Sequence, residues 1–156
     1  TCCAVKGRPL AAELVADYPD MVWETSHTKG HRFAPSVMLM PWGYSFGRMN
    51  KEAAAQMIAA AARGKYFYPV NRGRGIFGPR GQVAELAVAR ALIDAGEELS
   101  YGQLTATDSG EVSHIDGRRW RVTLEEREVE GVVSSCGDAP KTGQAIVATG
   151  VEPVAG

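Results

Sequence analysis

The chain has 156 residues, of which 45% are apolar and 22% are charged, and its formal net charge is -1. This length is enough for one ordinary globular core, and the composition fits neither a fibrous nor a disordered protein. A net charge close to zero provides no overall field that would gather nucleic acid or anionic lipid. No apolar run approaches the roughly 20 residues of a membrane helix, and no signal-peptide pattern is present. The sequence therefore predicts a soluble, cytoplasmic protein that binds neither nucleic acid nor membranes.

The first elements in chain order are a helix and a strand. Apolar residues at helical spacing predict a short helix between residues 6 and 18, with Pro9 in its first turn. Alternating side chains over residues 21–25 then predict a strand. A polar loop follows at residues 26–32, and it contains the candidate site.

A hairpin and a second helix come next. Two apolar runs at residues 36–40 and 44–49, separated by a turn-forming Pro-Trp-Gly, predict a β-hairpin. Asn50 is a good N-cap for an alanine-rich helix at residues 51–63, and Gly64 is a good terminator.

The second half predicts one long helix and then strands. After a loop at residues 71–78, a helix is expected at residues 79–95, ended by Gly96. The residues at helical spacing in this helix are Val83, Leu86, Ala87, Arg90 and Ala91. The strands are predicted at residues 111–115, 120–124, 129–134 and 145–148.

His27 and His31 lie four residues apart in the polar loop, with Gly30 between them. In such a loop, both imidazoles can converge on one metal ion or on one iron of a cluster. By itself this spacing favours two unrelated surface histidines, because short motifs have many false matches. The cysteines upstream favour a metal site over two surface histidines, since thiolate and imidazole together are a standard ligand set for iron or zinc.

The three cysteines are Cys2, Cys3 and Cys136. An odd number that includes an adjacent pair is a poor basis for a disulfide framework, so metal binding or free thiols are expected. Thiolates favour iron-sulfur clusters or zinc, and imidazoles that replace half of the thiolates raise the potential of a [2Fe-2S] site. The spacing of these residues does not choose between iron and zinc.

The stretch T-S-H-T-K-G-H-R-F-A at residues 25–34, with Pro-Trp-Gly at 41–43 and the run at 44–48, resembles the sucrase/ferredoxin-like family. The members of this family are also described as thioredoxin-like [2Fe-2S] ferredoxins. Further similar positions are Cys3-Ala4, Gly7, Pro9, Leu10, Arg72-Gly73, Pro79, Gln82, Ala84-Glu85, Trp120, Val122 and Ser135-Cys136-Gly137. The H-x-x-G-H-R-F-A stretch is much more specific than the histidine spacing.

This resemblance implies a [2Fe-2S] cluster held by two cysteines and by the two histidines of the loop. Carried over position by position, it gives Cys3, His27 and His31 as cofactor-binding and metal-binding residues. The first family cysteine precedes the second by several residues, so the fourth ligand is expected upstream of Thr1. Cys2 is then expected to be a neighbour of the cluster and not a ligand, and Cys136 is a candidate ligand only if the C-terminal strands fold back over the site.

The resemblance also implies an α/β fold, with a thioredoxin-like (ferredoxin) sheet and flanking helices that lacks its first β-α unit. Residues 1–98 would be the C-terminal part of this domain, and residues 99–156 would form a β-rich C-terminal extension. The implied function is electron transfer to or from a redox partner protein, a reductase or an acceptor, and an electron carrier is expected in preference to an enzyme.

Three alternatives use the same residues differently. Cys3, His27 and His31 could form a zinc site, either structural or, with an open position for water, hydrolytic. A thiol protein could work through Cys2 or Cys3 without metal, but the chain has no C-x-x-C. A third possibility is a purely structural domain in which the histidines are incidental.

Overall fold

The structure is a computed structural model that describes residues 2–25, 28, 31–134 and 137–155. It is a mixed α/β fold with two antiparallel sheets. The elements are α1 (Cys2–Asp17), a 3-10 helix (His31–Phe33), β1 (Ser36–Leu39), β2 (Tyr44–Gly47), α2 (Lys51–Ala62), β3 (Asn71–Arg74), α3 (Pro79–Asp94), β4 (Leu104–Ala106), β5 (Glu111–His114), β6 (Arg119–Val132) and β7 (Lys141–Pro153).

The first sheet has the strand order β1-β2-β3. The predicted hairpin is confirmed, because β1 and β2 pair antiparallel with Leu39 opposite Tyr44. In its turn, Gly43 has a φ of 77° and its N–H donates to the carbonyl oxygen of Leu39 at 2.9 Å. On β2, Tyr44 and Phe46 are both completely buried, so this strand faces the core.

Helix α2 is confirmed with the expected signals at both ends. The Oδ1 atom of Asn50 accepts a hydrogen bond from the backbone N–H of Ala53 at 2.8 Å, as an N-cap does. Gly64 follows the helix with a φ of 70°, a conformation that glycine adopts without steric cost. Ala54 and Met57 are the buried residues on the inner face of the helix.

Helix α3 is confirmed in its extent, but the residues that it buries differ from the expected ones. Arg90 is exposed and forms an ion pair with Asp94 at 2.6 Å. The buried residues are Gly81, Ala84, Glu85, Val88, Ala89 and Leu92. The glycine and the alanines on this face allow α3 to pack closely on β3 and on the second sheet.

The second sheet has the strand order β4-β5-β6-β7, with every pair antiparallel. The predicted strands at 120–124 and 129–134 are one continuous strand, β6, which pairs with β7 along almost its whole length. Trp120 and Val122 are buried, whereas residues 125–131 are exposed. The charged segment that begins at Glu125 continues the strand because backbone pairing to β7 does not depend on burial.

Three further expectations at the level of elements are wrong. The first helix begins at Cys2, so Pro9 lies inside it and not in its first turn. The predicted strand at residues 21–25 is not formed, and Trp23 is 80% exposed. The short strands β3 and β4 were not predicted; β3 contains glycine and two arginines and is a strand only through its pairing with β2.

Buried side chains from α1, α2, α3 and both sheets form one hydrophobic cluster, which runs from Leu10 to Val122 along the chain. The proposed division between residues 98 and 99 stays a prediction. No helix in the described part of the chain is both long and apolar enough to span a bilayer.

Candidate metal centre

The structure positions the backbone of two of the three predicted ligands. Cys3 lies in the first turn of α1, and His31 begins the 3-10 helix. The side chains of both residues, and the whole of His27, lie outside the described residues. Within the described ranges, no three His, Cys, Asp or Glu side chains are grouped closely enough to hold a metal ion. The ligand set of Cys3, His27 and His31 therefore stays a prediction.

The chain that leaves the histidine loop is fixed against the end of β2. The carbonyl oxygen of Phe33 accepts hydrogen bonds from the N–H of Arg48 at 2.7 Å and from the hydroxyl of Ser36 at 3.2 Å. Two residues later, the carbonyl oxygen of Pro35 accepts from the N–H of Met49 at 3.1 Å. Because these bonds come from a paired strand and its continuation, they hold the residues just after His31 in one position.

Gly47 permits this close approach. A Cβ atom at Gly47 would lie 2.9 Å from the Cβ of Phe33 and 3.0 Å from the Cδ of Arg72, closer than real Cβ contacts. Only a residue without a side chain therefore allows the segment after the histidine loop to lie directly on β2.

Two guanidinium groups contact the ring of Phe33. The Cζ atom of Arg72 is 3.5 Å from the ring centroid and that of Arg32 is 4.7 Å from it, both within cation–π range. Burial lowers the pKa of Arg72, and the like charge of Arg32 lowers it further. Positive charge is thus concentrated at Phe33, two residues after His31 in the sequence.

Helix α1 is anchored at its other end. Leu10 and Leu14 are buried in the common core, and Asp17 forms an ion pair with Lys51 of α2 at 3.2 Å. These contacts fix the axis of the helix whose first turn contains Cys3.

A buried carboxyl group that the sequence did not single out lies behind the first sheet. Glu85 of α3 is completely buried and accepts a short hydrogen bond from the hydroxyl of Tyr44 through Oε1. Its Oε2 atom and the hydroxyl of Tyr66 are also buried and have no hydrogen-bond partner within the described residues. Burial raises the pKa of Glu85 to about 7, although the bond from Tyr44 and the charge of Arg74 partly offset it.

Aromatic rings surround this carboxyl. Trp42 stacks on Tyr101 with ring centroids 5.0 Å apart, and the rings of Tyr44, Tyr66 and Tyr101 lie 5.1 to 5.3 Å from one another. A glutamate at an inward-facing position of an otherwise small and apolar helix face was the available signal for this site. In the sequence, Glu85 stands only among the positions similar to the family, and the helical spacing that predicts α3 runs along a different face of the helix.

Comparison with known proteins gives one result over the N-terminal half. The family model described as Sucrase/ferredoxin-like matches residues 1–73, a segment that contains all three predicted ligands. The similar positions noted after residue 73 lie beyond this match. Neither the curated proteins nor the solved structures give a match. Residues 1–73 of this chain are therefore similar to the sucrase/ferredoxin-like family.

Proposed function

We propose that this protein transfers electrons through a [2Fe-2S] cluster held by Cys3, His27 and His31, with the fourth ligand upstream of Thr1. The observation that carries the proposal is the family match over residues 1–73, which covers these three positions. The H-x-x-G-H-R-F-A stretch supplies the two histidines in the pattern that the resemblance requires.

The chemistry of the donor set fits such a cluster. A cysteine thiolate suits iron and sulfide, and histidine imidazoles are accepted in place of thiolates on one iron. A bound [2Fe-2S] cluster would accept and return one electron. Cys3, His27 and His31 would hold it, and neutral imidazoles in place of thiolates would raise its potential.

The surroundings of the candidate centre support a preorganised site. The segment after His31 is hydrogen-bonded to the end of β2, and α1, which carries Cys3, is packed in the core. Ligands that project from rigid elements keep their geometry when the charge of a bound group changes.

We further infer that α1, the β1-β2 hairpin and α2 form the later part of a thioredoxin-like domain. The order of helix, antiparallel hairpin and helix supports this inference, although the strand predicted at residues 21–25 is not formed. A redox partner protein is part of this proposal, since an electron carrier requires a donor and an acceptor.

The test is reconstitution of the full chain, with its natural upstream sequence, with iron and sulfide. Visible absorption, acid-labile sulfide and the electron paramagnetic resonance signal of the reduced protein are expected to show a [2Fe-2S] cluster with nitrogen ligands. His31→Ala and Cys3→Ser should abolish or alter these signals. The matched controls His114→Gln and Cys2→Ser should retain them.

Other results would overturn the proposal. A colourless protein that binds one zinc ion, lost in His31→Ala, would identify the zinc site instead. Spectra that are equal in His31→Ala and His114→Gln would exclude His31 as a ligand. A protein that binds no metal, whose stability is unchanged in His31→Ala, would make the histidines incidental.

A further inference from the structure

Charge is strongly segregated along this chain. Residues 25–84 contain nine Lys and Arg residues and one acidic residue, Glu52. The rest of the chain contains eight Lys and Arg residues and seventeen Asp and Glu residues. The net charge of -1 is therefore the sum of a basic segment and an acidic remainder, and the basic segment includes the histidine loop.

Two guanidinium groups of the basic segment lie over the ring of Phe33, and a third arginine contacts Phe33 through its backbone. Arg32 and Arg72 contact its ring, and the backbone N–H of Arg48 donates to its carbonyl oxygen at 2.7 Å. We call Arg32, Arg48 and Arg72 the arginine surface. Arg32 and Arg48 are exposed and Arg72 is partly buried, so the charges of the first two face solvent.

The arginine surface has no counter-ion in the part of the chain that the structure describes. No carboxylate oxygen there lies within 4.0 Å of the charged nitrogens of these three arginines. Elsewhere, exposed arginines are commonly paired: Arg90 with Asp94 at 2.6 Å and Arg118 with Glu97 at 2.8 Å. The guanidinium groups of Arg32 and Arg72 lie over one ring and repel each other, and a bound anionic group would relieve that repulsion.

The backbone under this surface is in a conformation of higher energy. Arg48 and Val70 have positive φ angles of 56° and 53°, and no other non-glycine residue in the described ranges does. The two lie side by side, because the N–H of Gly47 donates to the carbonyl oxygen of Val70 at 3.1 Å. Such conformations are costly for a β-branched residue and concentrate at binding sites. Val70 is also 45% exposed, which adds an apolar contact beside the cations.

We propose that the arginine surface, with Val70, docks the acidic face of a redox partner protein next to the histidine loop. This inference rests on the proposed function, because Arg32 directly follows His31 and the docked partner would lie at the candidate cluster. Complementary charge would speed association and fix the orientation of the two proteins.

The charge distribution favours a protein over nucleic acid as the occupant. A nucleic acid carries negative charge along its whole length, and the acidic remainder of this chain would repel it. An acidic patch on a folded partner can contact the three arginines and leave the acidic remainder free. The apolar Val70 also suits a protein interface, which combines apolar contact with charge at its rim.

The test measures binding of poly-L-glutamate to the full chain by calorimetry at low and moderate salt, before and after reconstitution with iron and sulfide. The triple variant Arg32→Gln, Arg48→Gln, Arg72→Gln is compared with a control, Arg90→Gln, Arg119→Gln, Arg121→Gln, which loses the same charge elsewhere. Removal of three charges at the rim of the interface is expected to weaken binding about tenfold in the first variant. In the control, the loss of affinity should be much smaller. Binding to the wild type should weaken as salt rises.

Arg32→Lys with Arg72→Lys keeps the charge and should bind nearly as the wild type does. Arg32→Gln alone, a change at an exposed side chain, should weaken binding measurably even if the triple variant does not fold. Equal losses in the triple variant and its control would overturn the proposal, as would tighter binding of duplex DNA than of poly-L-glutamate. Displacement of the polypeptide by millimolar phosphate would identify a small-anion site instead. If no cluster forms but these binding results hold, the proposed function fails and the acidic-partner surface stands.

Discussion

The buried carboxyl of Glu85 is expected to make the stability of the protein depend on pH. Its pKa is about 7 in the folded chain, against 4.5 for an ordinary glutamate, because burial penalises the charged form. The folded state therefore binds the proton more tightly than the unfolded state does. The contribution of protonated Glu85 to the free energy of unfolding is therefore fully present below pH 4.5. It is lost as the pH rises through 7.

The magnitude follows from the shift. A difference of two to three pKa units corresponds to about 3 kcal/mol, and Glu85 is completely buried, so no solvent screening reduces it. The groups that face it are Tyr44, Tyr66 and Arg74. Burial raises the pKa of both tyrosines, so they stay neutral in this pH window. Their protonation therefore adds no slope between pH 4.5 and 7.

Glu85→Gln removes the titration and keeps the acceptor for the hydroxyl of Tyr44. The free energy of unfolding of the variant minus that of the wild type, from urea titrations at several pH values, should rise by about 3 kcal/mol between pH 4.5 and 7. The new amide group is expected to change the free energy of unfolding by the same amount at every pH. Such a change does not affect how the difference depends on pH. Glu52→Gln, at an exposed position on α2, is the control that makes the same chemical change away from the buried site. A flat difference for Glu85→Gln would refute the reasoning.

Three further substitutions test the packing after the histidine loop, the interior of α1 and the start of α2. Gly47→Ala should destabilise the protein by about 1–3 kcal/mol, because the new methyl group would overlap the Cβ of Phe33. Gly7→Ala, where nothing lies within 4 Å of the new Cβ, should instead stabilise α1 by about 0.5–1 kcal/mol; equal effects at both glycines would contradict the packing argument. Asn50→Ala should cost about 1 kcal/mol in chemical denaturation through loss of the cap to Ala53, and an unchanged midpoint would show that the cap contributes nothing.

The elements that the sequence predicted correctly are those with local signals. The hairpin has its Pro-Trp-Gly turn, α2 has Asn50 and Gly64 at its ends, and α3 lies between Pro79 and Gly96. Each of these signals acts through the backbone of a few neighbouring residues, so one sequence suffices to find it. The similarity of residues 1–73 to the sucrase/ferredoxin-like family is likewise found from the sequence alone.

What only the tertiary structure decided depends on contacts between residues far apart in the chain. Strand β3 exists because β2 pairs with it, and Glu85 is buried because α3 packs on the first sheet and meets Tyr44, which lies 41 positions earlier. Arg32 and Arg72 are likewise distant in sequence and become neighbours at Phe33. No pattern among neighbouring residues shows that residues so far apart in the sequence will be in contact. The sequence therefore determined which residues are candidate metal ligands, and folding determined which arginines lie together at Phe33.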